Sequence, residues 1–270
     1  MSQPQPVGEI LSLKGRLQKL VEEVEATTLH HVLATIDSRL DVAAEIGFED
    51  EAYAWVLTLK SSDAPEALIG HELCHLFQFS DTAWKQTRIT LARGADTRYD
   101  FLRDWIQSLL WDPWADFEAS RRGFDICGYA YPYFVQYIAG LRSFETRMER
   151  SMSPVDLVKL SIDYTYKALD GKLCGFSQEW KDCEREFQRV APRASKLGST
   201  ITDTMLAEDT HSPKGVAQAF PKILQAIDDT HPDLELKRNL VMSSRLVTSM
   251  AVAAADRTSA SRSRKTKRAL

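Results

Sequence analysis

Residues 64–79, APEALIGHELCHLFQF, constrain this chain more than any other stretch. Leu68, Ile69, Leu73, Leu76 and Phe77 recur at three- and four-residue spacing, and Pro65 stands where a helix begins. The pattern predicts an inward-packed helix. On it, His71 and His75 lie one turn apart on one face, with Glu72 offset by about 100° around the axis. Two imidazoles so placed can share a divalent ion, and the carboxylate beside them can act as a general base. The HExxH motif of His71-Glu72-Leu73-Cys74-His75 therefore predicts a zinc site with Glu72 as the catalytic base. Apolar flanks suit it, because a metal site needs its ligands held rigidly and partly dry.

Around this helix the chain reads as mainly α (α+β), a helical domain with a small sheet. Residues 7–46 carry Leu11, Leu17, Leu20, Val21 and Val24 at helical spacing, which predicts one or two amphipathic helices. Residues 52–60, AYAWVLTLK, are rich in aromatic and β-branched side chains and predict a strand. A helix is expected over 96–111, and Asp112-Pro113 reads as the capped start of another. Further helices are expected over 132–149, 154–169, 176–190 and 214–228, punctuated by Pro and Gly. Residues 190–213, poorer in large apolar side chains, read as a linker or long loop. That division gives a first domain at 1–190 that carries the HExxH helix, a helical extension at 191–256 and a disordered basic tail at 257–270.

Composition excludes several classes. The 270 residues are 44% apolar with no apolar run long enough for a membrane-spanning helix, and the first twenty lack a secretory pattern, so the expectation is a cytoplasmic protein. Four cysteines without CxxC spacing predict reduced, partly buried thiols. The net charge is −4. Residues 257–270 hold six Lys or Arg and no acid, and setting those six aside leaves the other 256 residues at −10. A short basic end on an acidic body reads as a solvated or targeting tail, and no nucleic-acid partner is expected.

A hydrolytic zinc site needs a third protein ligand and an open position. His211 and His231 stand in polar, Pro-flanked segments, and the adjacent His30 and His31 face different directions on a helix. The segment Asp112-Pro113-Trp114-Ala115-Asp116-Phe117-Glu118-Ala119-Ser120 offers three acids beside core-type aromatics, where a carboxylate needs a partner. With HExxH upstream, residues 52–123 resemble the zinc metallopeptidases of the gluzincin type, whose second motif reads ExEAD and whose first acid binds zinc. The resemblance implies Zn²⁺ held by His71, His75 and Asp116, with Asp standing for the usual Glu and Ser120 for the second Asp. Asp112 is the next candidate, since Asp112 and Asp116 share one helix face, and Glu118 the third.

By the same resemblance the activity is peptide-bond hydrolysis, with a peptide or protein as substrate. Tyr129, Tyr131, Tyr133 and Tyr137 are the nearest supply of an oxyanion donor, and the strand at 52–60 is a candidate edge for an extended peptide. Cys74 reads as a small core residue. Two other readings stay open: a non-catalytic zincin-like binding or regulatory protein, and a helical interaction protein whose HExxH is accidental.

Overall fold

The computed structural model describes residues 3–11, 13–144 and 148–243, so the basic tail at 257–270 lies outside the described residues. The chain runs β1 (Gln5–Pro6), α1 (Val7–Ile10), α2 (Gly15–Thr28), β2 (Val32–Ile36), β3 (Ala44–Glu49) and β4 (Ala54–Leu59). It continues through α3 (Glu66–Ser80), α4 (Thr82–Lys85), β5 (Ile89–Leu91), α5 (Asp100–Arg121), α6 (Ile126–Ser143) and α7 (Pro154–Leu173). Last come α8 (Ser177–Val190), α9 (Pro192–Ala207), α10 (Pro213–Thr230), α11 (Leu236–Asn239) and β6 (Leu240–Met242). The protein is mainly α-helical with a small mixed sheet, as the periodicity of the sequence implies.

The four-stranded sheet has the order β1-β2-β4-β3. β2 pairs parallel to β4, while β1 and β3 pair antiparallel to their neighbours. β2 and β3 correct the reading of 7–46 as purely helical: they carry ATI and AEIGF, too short for a helical period to declare itself once α2 ends with Leu29 in the left-handed conformation at φ 59°. The segment expected as an edge strand is β4, which lies inside the sheet with Leu57 and Leu59 buried; the end strands are β1 and β3.

Pro113 does not open a helix. It sits inside the 22-residue α5. An interior proline removes one backbone hydrogen bond and costs about 3 kcal/mol. Burial on both sides of it offsets that cost, since Leu109, Leu110, Trp111 and Ala115 are all inaccessible to solvent or nearly so. The consequence for the site is decisive: Asp112 and Asp116 stand one turn apart on one continuous helix.

The segment 190–213 is likewise no linker. α9 occupies most of it, burying Ala194, Leu197, Ile201 and Met205. One hydrophobic cluster joins Trp84, Ile106 and Leu109 to Leu197, Ile223 and Leu240, thus spanning both sides of position 190. A second cluster packs α2 and the sheet against α3 and the last turns of α5. Phe79 and Trp114 touch both clusters, so the HExxH helix lies at their junction. Gly70, directly before His71, makes close approach possible, because a Cβ there would sit 2.8 Å from the Phe124 ring.

Cys127 and Cys174 form a disulfide between the start of α6 and the end of α7, with Cα atoms 5.3 Å apart. This corrects the expectation of four free thiols. Positions 47 apart in sequence meet only because two long helices pack side by side. Cys74 and Cys183 are free and buried.

Candidate metal centre

α3 and α5 bring the site together, and α7 closes it. His71 and His75 face each other across one helical turn, with Nε2 atoms 3.1 Å apart. His75 Nε2 lies 3.5 Å from Asp112 Oδ1, and one ligand atom from each of His71, His75 and Asp112 lies within 4.8 Å of the other two. These distances suit one ion. In a tetrahedral site with metal–nitrogen bonds of about 2.0–2.1 Å, two ligand atoms are about 3.3 Å apart.

The tautomers follow from the surrounding hydrogen bonds. Gln78 Nε2 donates to the carbonyl of Trp111 at 3.1 Å, so Gln78 Oε1 is left to accept, and it accepts from His75 Nδ1 at 2.6 Å. Asp116 Oδ1 accepts from His71 Nδ1 at 2.7 Å. Both Nδ1 atoms are thus occupied as donors facing outward, and both Nε2 lone pairs point inward. Two acceptor nitrogens at 3.1 Å repel unless a cation or a proton lies between them, and that is the feature of the donor set that fits a metal ion.

Asp116 therefore differs from its expected place. It does not join the histidines as a ligand atom; it holds the far nitrogen of His71 as an outer carboxylate, an arrangement that orients metal-bound imidazoles. Asp112 faces the two Nε2 atoms instead. Its other oxygen, Oδ2, accepts from the Tyr166 hydroxyl at 3.0 Å, which leaves Oδ1 toward the histidines. Glu118 is engaged by Arg121 and Arg122, and Arg122 also pairs with Glu23 of α2. Burial tends to raise Glu118, but the two guanidiniums outweigh it and hold its carboxyl below the usual range.

Charge follows the same geometry. Burial opposes protonation of His71, yet Asp116, Asp112 and Glu72 together outweigh it and lift its pKa to about 10. Without a metal, the extra proton sits on His71 Nε2 and is donated to His75 Nε2. Burial pushes the Glu72 carboxyl up, with His71 and His75 acting against it. Burial, and after it the charge of Asp112, raises the Tyr166 hydroxyl well above its ordinary range, so it stays a donor. Burial pushes the Cys74 thiol up to about 12, which excludes a nucleophilic role.

β3, an end strand of the sheet, packs against α3, and the charge of its Glu45 adds slightly to the rise of the Glu72 carboxyl. Burial, then Tyr133, then Glu72 and Asp116 push the Tyr129 hydroxyl up to about 12. Tyr131 turns to Glu179 at 3.3 Å and Tyr137 to Asp163 at 3.5 Å. His30 joins the Phe48–Tyr53 aromatic pair, and His31 pairs with Glu25 at 3.4 Å. His211 packs on Phe117, and His231 is buried away from the group. Gln78 and Tyr166 carry no signal in the sequence; only the i+3 spacing from His75 could have pointed to Gln78.

Comparison with known proteins finds no family model, no curated protein and no solved structure that matches this chain. Among the described residues no helix is long and apolar enough to cross a membrane.

Proposed function

We propose that this protein is a zinc-dependent peptidase whose metal is held by His71, His75 and Asp112. The observation that carries the reading is the pair of inward-facing Nε2 acceptors at 3.1 Å, both backed by outward hydrogen bonds and joined by a carboxylate oxygen. A bound Zn²⁺ supplies Lewis-acid polarisation of the scissile carbonyl and acidifies water. Glu72 takes the proton from the attacking water and returns it to the leaving amine. Its carboxylate enters no hydrogen bond among the described residues, which leaves it available for that transfer. Tyr129 on α6, a neutral hydroxyl whose titration feels the charge of Glu72, stabilises the developing oxyanion. An extended peptide pairs backbone to backbone with β3, an end strand of the sheet that packs against the HExxH helix.

The test is metal analysis of the purified full-length protein, followed by Glu72→Gln with hydrolysis of a mixed peptide library as the readout. The peptidase reading expects about one zinc per chain in both proteins and cleavage by the parent alone, with a loss of roughly a hundredfold or more in the variant. Zinc retained without cleavage by either protein would make this a metal-binding protein rather than an enzyme. Two imidazoles and a carboxylate also suit ferrous iron. Iron in place of zinc would overturn the hydrolytic assignment.

A further inference from the structure

A cavity of about 430 Å³ opens between α5, the end of α7 and the turn from α9 to α10. It is separate from the ligand group, for neither the two histidines nor Asp112 nor Glu72 lines it. Leu169, Met205 and Leu206 give it an apolar wall. Three carboxylates border it: Asp116 holds His71, Asp170 holds Lys167 at 2.9 Å, and Asp209 stands 3.5 Å from the His211 imidazole and opens to solvent. Two donors are left over. Lys172 makes no ion pair among the described residues, and Thr210, only 4% exposed, has no hydrogen-bond partner for its hydroxyl among them. The volume falls in the range of small-molecule sites, roughly 300–1,000 Å³.

We propose that this cavity binds an amphiphilic monocarboxylate. Its hydrocarbon body lies on Leu169, Met205 and Leu206, and its carboxylate accepts from Thr210 Oγ1 and Lys172 Nζ. Asp116 and Tyr166, which orient His71 and Asp112, form part of the same wall. Occupancy of the cavity and binding of the metal are therefore coupled, each changing the other's affinity by the same factor. The coupling rests on the metal reading above; the cavity's ligand does not.

The experiment is calorimetric titration of octanoate into the full-length, metal-free protein, with octanol as the uncharged control. Expected are saturable binding at one site, octanol weaker by about tenfold, and a loss of roughly five- to tenfold in each of Lys172→Met and Thr210→Val. Leu206→Trp, at a position 42% exposed and so tolerant of bulk, should block the cavity and abolish binding while the melting temperature is kept. No saturable octanoate binding at millimolar concentration, equal binding of octanol, or undiminished binding by Leu206→Trp would overturn the site. Repetition with zinc present tests the coupling, which demands a shift of about threefold or more in octanoate affinity. An unchanged affinity in a protein that does bind zinc removes the coupling, whereas a failure to bind zinc counts against the metal reading while octanoate binding stands.

Discussion

On the metal reading proposed above, a proton and a metal ion would compete for the same place between His71 and His75, which would make metal affinity steeply dependent on pH. With the His71 pKa at about 10, only about one molecule in 300 is free of the extra proton at pH 7.5. Apparent zinc affinity should therefore rise about tenfold per pH unit from pH 7 to 9 and level off near pH 10. Asp116→Asn removes the main charge that holds this proton. The variant's His71 should titrate closer to its ordinary value near 6.5, so its zinc affinity should be nearly flat above pH 7.5. The metal-free protein supplies the matching sign. A raised folded-state pKa stabilises fully below the unfolded value near 6.5, and that contribution is lost as pH climbs through about 10. The amount lost is on the order of 5 kcal/mol, and the loss should be far smaller in Asp116→Asn. Competition with a chromophoric chelator, corrected for its own protonation, gives the first slope; thermal melts of chelator-treated protein give the second. Equal slopes in the parent and Asp116→Asn would refute the shared-place argument, as would a parent affinity that ignores pH between 7 and 9.

Two further outcomes follow from single contacts. Tyr166→Phe deletes the hydrogen bond to Asp112 Oδ2 without changing shape, so zinc affinity should fall about 10- to 100-fold with the melting temperature of the metal-free protein nearly unchanged; an equal fall in Tyr131→Phe, whose hydroxyl turns to Glu179, would remove the case for Tyr166. Reduction of Cys127–Cys174 opens a closed loop whose ends are 47 positions apart, for which chain entropy gives about 4 kcal/mol. Melts with and without dithiothreitol should separate accordingly, and a Cys127→Ser, Cys174→Ser double variant should match the reduced protein in both.

What periodicity and local stereochemistry decide, the sequence shows by itself. The HExxH helix, the strand at 54–59 and the helices from 154 to 190 and from 213 onward appear within a few residues of their expected places, because each depends on side chains three, four or two positions apart. Tertiary structure decided the rest. Asp112-Pro113 looks like a helix start in isolation, and only burial of Leu109, Trp111 and Ala115 on both sides keeps α5 continuous through the proline. That continuity turns Asp112 toward the histidines and leaves Asp116 behind His71, an exchange of places that residue type could not settle because both are aspartates on one face. The burial of α9 and the Cys127–Cys174 pair, like the Tyr166 hydrogen bond, exist through contacts between positions far apart in the chain. A contact of that kind takes its free energy from surfaces that meet only once the whole core has formed, so no local pattern carries its signature.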